Sequence, residues 1–283
     1  MSNIEKVGQF LKSKQYPKAI LQPIQSIDGQ SLVESVGSFW RLYPFISNTE
    51  TFNEVLNEEM AFAAAFTFGE YGNYLQDFPV EELLDTIPDF HNTALRFDQF
   101  LEAVEDAPFG QLILAEDSIN QLLSYEYLLK DIGKLTFPIR VTHNDTKINN
   151  ILFDKTTGKA VCVIDLDTLM PGNLLYDFGD MVRTFTPALD ENSDEFEEIF
   201  VRKNILTALT EGYLAGWGGA LTQLETTHLI YGAQLTIFEQ RLRFLTDYLN
   251  GNIYYKVANE QQNLVRTKNQ ICLLKSLQSN TAL

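Results

Sequence analysis

The sequence predicts an α+β protein with a small antiparallel strand region near its start and a larger, mostly helical remainder. Three observations lead to that class. Short strand-like runs crowd residues 19–46 between glycine turns. Apolar residues recur at helical spacing through most of 51–136 and again after 198. Between these helical stretches, two further strand-like runs, ILF (151–153) and AVCVIDL (160–166), flank the turn-rich segment DKTTGK. The 283 residues suffice for one large domain or two lobes around a sizeable core.

Residues 2–14, SNIEKVGQFLKSK, read as an amphipathic helix with Ile4, Val7 and Leu11 on one face and capping-box spacing between Ser2 and Glu5. Three strands follow, at 19–27, 31–36 and 39–46, with Asp28-Gly29 and Gly37-Ser38 as tight turns of an antiparallel meander. A second capping-box pattern, Thr51 with Glu54, opens a long helix with Val55, Phe62 and Phe66 on its buried face and Gly69 as its stop. Pro88 and Pro108 break the helical pattern that continues to about 136, and acidic clusters such as EAVEDAP (102–108) read as solvated faces. Residues 151–166 read as a hairpin. In 224–249, the stripe Leu235, Phe238, Leu242, Leu245 and Leu249 reads as core, with Gly251 at the C-cap.

Composition narrows the function classes. The formal charge of −17 repels nucleic-acid backbones and anionic membranes; it reads first as a solubilising acidic surface and would also favour a cationic or neutral ligand. Cys162 lies in an apolar run and Cys272 far from it, which suggests neither a disulfide framework nor a zinc site. No window approaches 18 apolar residues and the first residues are not a signal peptide, so a reducing cytoplasm is the expected location.

The densest polar chemistry lies in VTHNDTKINNILFD (141–154). Asn150 immediately precedes the first strand of the hairpin and Asp165 ends the second, so both fall at its open end. Asp145 lies in the loop that feeds it. Two carboxylates and an amide at one hairpin mouth are costly to bury unpaired, and a divalent cation would compensate them. The donors are all oxygen, which suits magnesium with room for water and phosphate. Asp167, at period-2 spacing from Asp165, is a possible accessory ligand. Asp145, outside the metal shell, could accept a proton from an attacking hydroxyl. His143 is expected to hold the loop by hydrogen bonds, and Lys147 either neutralises a transferred phosphoryl group or is simply solvated. A metal-dependent hydrolase using His143, Asp145, Asp165 and Asp167 would need a second histidine, and only His91 and His228 remain.

At these residues the chain resembles a known family. HNDTKINN matches the HxDxxxxN catalytic loop of the aminoglycoside phosphotransferase and choline kinase group, and VIDLD matches the segment that replaces the kinase metal-binding Asp-Phe-Gly. The segments FWRLYPFI (39–46), IPDFHNTALRFDQF (87–100), MPGNLLYDFGDMVRTF (170–185) and RFLTDYLNGNIYYK (243–256) resemble the N-acetylhexosamine 1-kinases and their relatives. The resemblance implies a protein-kinase-like two-lobe fold, with a truncated N-lobe at 1–46 and a helical C-lobe at 47–283. It also implies ATP- and magnesium-dependent phosphorylation of a hydroxyl on a small molecule, a sugar such as an N-acetylhexosamine. Residue by residue, Asp145 resembles the catalytic base, and Asn150 and Asp165 the magnesium ligands. Pro44, Phe45, Ile46 and Ser47 resemble the hinge whose backbone meets adenine, Asp177 a structural residue that orients the catalytic loop, and Arg243 and Tyr254 sugar-pocket residues.

Such a fold normally opens with a glycine-rich hairpin and a strand lysine paired with a glutamate on the next helix. Here only Glu5, on the first helix, matches that glutamate, and no GxGxxG or Walker-type loop precedes it. Two readings follow: a fragment of a longer kinase, or a short non-catalytic, pseudokinase-like binding protein. Either way the meander is expected to expose a strand edge and an apolar face, favouring a homodimer through that edge.

Overall fold

Helix α1 (Ser2–Ser13) forms where the apolar spacing requires it, with Ile4, Val7 and Leu11 buried. The computed structural model describes residues 1–281. The expected capping box does not form. Met1 is the N-cap and supplies no side-chain cap, while the Glu5 carboxylate accepts a hydrogen bond from the Ser31 hydroxyl.

The meander is only partly built. Strand β1 is two residues, Ala19–Ile20, and it pairs in parallel with Cys162 and Val163 rather than with its sequence neighbour. Strands β2 (Val33–Ser35) and β3 (Ser38–Trp40) do form an antiparallel hairpin. Its turn is Val36-Gly37, one residue earlier than expected, with φ of 52° and 70°. Positive φ at both positions matches the strand twist, and Gly37 adopts it freely.

Strand β4 (Thr49–Glu50) pairs antiparallel with Phe153 and Asp154. That extended segment leads into Thr51, so the helix begins later than the Thr51–Glu54 pattern suggested. Helix α2 (Glu58–Tyr74) is capped by Asn57, whose side chain accepts the Met60 N–H at 2.9 Å. It buries Ala61, Ala64, Ala65, Phe68 and Tyr71, whereas Phe62 is 39% exposed. Gly69 is not a stop. A Cβ there would stand 2.5 Å from the Tyr213 carbonyl oxygen, so glycine permits a close backbone approach in the helix interior.

Helix α3 (Thr93–Asp106) follows Pro88 and is capped by Asn92; helix α4 (Phe109–Ser124) starts directly after Pro108, which is its N-cap. Glu102, Glu105 and Asp106 are solvated, as expected. Helix α5 (Tyr127–Ile132) and strand β5 (Arg140–Thr142) come next. Strands β6 (Ile151–Asp154) and β7 (Ala160–Val163) are the expected hairpin, and they complete a four-stranded sheet in the order β1-β7-β6-β4. Cys162 is fully buried in it, and burial pushes its thiol up to about 12. Strand β8 (Met170–Gly172) pairs with β5.

The helices that follow are α6 (Leu174–Phe185), α7 (Lys203–Trp217), α8 (Gln223–Thr227), α9 (Leu229–Leu249) and α10 (Gln262–Thr281). The stripe Leu235, Phe238, Leu242, Leu245 and Leu249 is buried, and α9 packs against α3, α4 and α10. Its end is a Schellman motif. Gly251 N–H donates to Tyr248 O at 3.1 Å and Asn252 N–H to Asp247 O at 2.7 Å, with Gly251 at φ 87°.

The chain resolves into two compact units. One comprises Met1–Pro88, Pro138–Asp177 and Thr207–Thr222, and holds all eight strands of the described residues. The other comprises Asp89–Phe137, Phe178–Leu206 and Gln223–Leu283, and is helical around α9. No described helix is long and apolar enough to cross a membrane.

Candidate active site

The loop between β5 and β6 is held by one carboxylate. Asp177, in the first turn of α6, accepts the His143 backbone N–H at 2.9 Å and the Asn144 N–H at 2.7 Å; its carbonyl accepts the Thr146 hydroxyl at 2.6 Å. Asn144 sits at φ 64° and donates its side-chain amide to Thr168 O at 2.8 Å. The Thr168 hydroxyl returns a hydrogen bond to His143 O at 2.6 Å. These bonds sew the loop to the segment that follows β7.

His143 is buried, and its ring hydrogen-bonds within the loop and to the end of the hairpin. Its Nε2 lies 2.9 Å from Ile164 O and its Nδ1 accepts the Asp145 N–H at 3.3 Å. This network assigns the ring proton to Nε2. His91 is occupied elsewhere, 2.8 Å from Glu239, and His228 hydrogen-bonds Leu224 O at 2.8 Å; both belong to the helical unit.

Asp145, Lys147 and Asn150 converge. Asn150 Nδ2 donates to Asp145 O at 2.7 Å and to Asp145 Oδ2 at 2.9 Å, while Lys147 Nζ lies 2.8 Å from Asp145 Oδ1. Burial works against the Asp145 charge, but the Lys147 ammonium and the Asn150 hydrogen bond more than offset it and hold the carboxyl below the usual range. Asp145 is therefore ionised at neutral pH and able to accept a proton.

The hairpin mouth closes as expected. Ile151 pairs with Val163, and Ile164 N–H donates to Asn150 O at 2.9 Å, so residues 150 and 165 meet at one end. Asp165 adopts a left-handed backbone, φ 57° and ψ 58°, uncommon for a non-glycine residue. Its side chain is exposed and makes no hydrogen bond among the described residues. Because Asn150 spends its Nδ2 on Asp145, its Oδ1 is left to accept or ligate.

Asp167 carries a partner that local spacing did not reveal. Arg41, which follows β3, grips it with both terminal nitrogens; Nη2 lies 2.8 Å from Oδ2, and Nη1 binds Oδ1. The hydrogen bond from Arg41 holds the Asp167 carboxyl below its ordinary value. Among the described residues no three histidine, cysteine or acidic side chains are grouped to hold a metal by themselves. The donors at the mouth, Asn150 Oδ1 and the Asp165 carboxylate, instead suit a hard cation that keeps water and phosphate oxygens as further ligands.

Pro44 to Ser47 form irregular chain just before β4, with Phe45 91% exposed and Ile46 O accepting the Thr49 hydroxyl at 2.7 Å. Arg243 and Tyr254 belong to the helical unit, where they line a cavity of about 410 Å³ with Arg96, Gln99, Asp247 and Tyr255. The Arg243 guanidinium lies over the rings of Phe90 and Tyr254, at 5.3 and 5.8 Å, and its Nη2 is 3.5 Å from the Tyr254 hydroxyl. Asp247 shapes this wall by accepting the Tyr254 and Tyr255 N–H groups at 2.7 and 3.0 Å. Sequence reading missed Arg41, Thr168 and Asp247; of these only Arg41 carried a signal, as a cation inside the aromatic run FWRLY.

Solved structures share this fold. An aminoglycoside phosphotransferase from Alicyclobacillus acidocaldarius superposes with a TM-score of 0.66 at 16% identity, covering 99% of this chain and 84% of its own. A choline/ethanolamine kinase family protein from Mesorhizobium loti gives 0.57 at 14%, covering 97% and 78%. Spectinomycin phosphotransferase, solved with ADP and spectinomycin, gives 0.59 at 12%, covering 99% and 82%. The sequence profile of the phosphotransferase enzyme family matches residues 9–225, more than three quarters of the chain, and the protein therefore belongs to that family.

Proposed function

We propose that this phosphotransferase moves the terminal phosphoryl group of ATP to a hydroxyl of a small molecule, with a sugar such as an N-acetylhexosamine as acceptor. One observation carries the reading. An ionised Asp145 sits between Lys147 and Asn150, at the mouth where Asp165 stands exposed without a hydrogen bond. Phosphoryl transfer asks the protein for positioning and charge neutralisation more than for covalent help. Asp145 would orient the acceptor hydroxyl and take its proton. Asn150 Oδ1 and Asp165, with Asp167 as accessory, would hold magnesium, which neutralises phosphate charge when bound. Lys147 would meet the phosphoryl group in transit. The chain at 1–46 would act as the small lobe and 47–283 as the large one, with the backbone of Pro44, Phe45, Ile46 and Ser47 receiving adenine. His143 and Asp177 would act structurally. Arg243 and Tyr254 supply a cavity wall of aromatic faces and one cation, a surface that suits a polar ring. A cytoplasmic setting fits this chemistry.

A second reading, a small-molecule binding protein without turnover, is favoured by one observation. The Glu5 carboxylate is bound to the Ser31 hydroxyl, not to a lysine. Transfer of labelled γ-phosphate from ATP to a panel of hexosamines, choline and aminoglycosides separates the two. Turnover with one acceptor, reduced about 100- to 10,000-fold in Asp145→Asn, is the expected result. Absence of transfer to every acceptor by a folded protein that still binds one of them would leave the binding-only reading. Transfer unaffected by Asp145→Asn would remove the role of that residue.

A further inference from the structure

The acidic mouth of the hairpin carries its own cations. Lys147 sits on Asp145, and Arg41 sits on Asp167. Asp165 has neither an ion-pair partner nor a hydrogen bond among the described residues, though it lies within electrostatic reach of Arg41. The Arg41 guanidinium engages both oxygens of Asp167 and lies over the Tyr43 ring at 5.5 Å. The pair is open to water, with side-chain exposures of 38% for Arg41 and 50% for Asp167.

Two consequences follow from charge alone. A guanidinium fork takes one lone pair on each carboxylate oxygen and offsets the carboxylate's charge, so Asp167 is a weaker donor to a metal ion while Arg41 holds it. An ion pair this exposed is also weak, so a divalent cation anchored by neighbouring oxygens can displace it. We infer that Arg41 is an exchangeable internal counter-ion: it and the divalent cation compete for Asp167, and loading the site with metal releases Arg41 toward the incoming phosphates. This rests on the reading of Asn150 and Asp165 as metal donors and makes Arg41 a positioning residue for that site. Its release places a guanidinium, free to turn, beside the position where negative charge arrives.

The test measures Mn²⁺ binding without nucleotide, by the paramagnetic resonance signal of the free ion, on the full chain with circular dichroism as the control for folding. Arg41→Ala and Arg41→Gln should each bind Mn²⁺ about two- to fivefold more tightly than wild type, the range an exposed ion pair supports. Arg41→Lys, which keeps the charge but not the fork, should fall between. Adding Asp167→Asn to Arg41→Ala should abolish the gain. Equal or weaker binding by both neutral variants, with wild-type binding intact, overturns the inference and leaves the metal site standing. A gain that survives in the Asp167→Asn background also overturns it, because the effect then comes from net charge. No Mn²⁺ binding by any variant overturns the metal-site reading and the inference together.

Discussion

Removing the Asp177 carboxylate should loosen the loop that carries Asp145. Its two oxygens accept the backbone N–H groups of His143 and Asn144, at 2.9 and 2.7 Å, and those residues are only 3% and 7% exposed. Each hydrogen bond to a charged acceptor contributes about 1.5–3 kcal/mol. Asp177→Ala strips both, for a gross loss of about 3–6 kcal/mol, and water entering the vacated space offsets part of it. A net loss of about 2–4 kcal/mol is expected. Asp177→Asn isolates the electrostatic part, because its Nδ2 would face one of the two N–H donors. That leaves one buried donor unmet, at about 1–3 kcal/mol.

The loss reaches function through Asn144. Its left-handed backbone, φ 64°, persists because Asp177 and Thr168 O both hold it. Once released, Asn144 can relax and carry Asp145 with it, and a displacement near 1 Å costs about 100-fold in rate. Guanidinium unfolding followed by fluorescence reports the stability change, and γ-phosphate transfer reports the rate. Asp177→Asn with the wild-type unfolding midpoint and the wild-type rate would refute the reasoning.

Lys147 is the strongest influence holding the Asp145 carboxyl low, against a burial effect that raises it. Lys147→Met should raise that pKa, and since the base must be ionised, the acid limb of kcat/KM should move to higher pH; an unmoved limb would argue against Asp145 as the base. Gly69→Ala drives a methyl group to 2.5 Å from the Tyr213 carbonyl, a backbone atom that cannot swing aside; a destabilisation of about 1–3 kcal/mol in thermal or denaturant unfolding is expected. The β2–β3 hairpin exposes Val36, Phe39 and Trp40, at 101%, 69% and 65%. Self-association that rises with concentration is expected in sedimentation velocity and should weaken in Phe39→Lys, while a monomer at every concentration would count against it.

The parts of this molecule that were legible in its sequence are those whose partners lie within about one hairpin. The loop–hairpin unit from His143 to Asp165 closes on itself, because Asn150 reaches Asp145 five residues away and the DKTTGK turn returns the chain to Ile164. The buried stripe of α9 needed only helical periodicity. What failed were local signals overruled from a distance. Ala19 and Ile20 looked like the first strand of a meander, but their backbone partners are Cys162 and Val163. Thr51 and Glu54 had capping spacing, yet β4 pairs Thr49 and Glu50 with Asp154 and Phe153, and Asn57 caps the helix instead. Gly69 looked like punctuation until the Tyr213 carbonyl accounted for it.

The charges at the candidate site divide the same way. Lys147 stands two residues from Asp145 and pairs with it, although the sequence reading offered it only to a phosphoryl group or to solvent. Arg41 and Asp167 are 126 residues apart, and no periodicity links them. Reading from spacing alone therefore offers Asp167 to a metal and leaves Arg41 unassigned, whereas the folded chain gives the same carboxylate to a guanidinium. The two assignments need not exclude each other in time. On the inference drawn above, the exposed ion pair holds Asp167 without metal and yields it to a divalent cation that arrives with phosphate. The two ion pairs therefore divide by origin: the local one, Lys147 on Asp145, is written in HNDTKINN, and the distant one arrives only when Arg41 is folded onto Asp167.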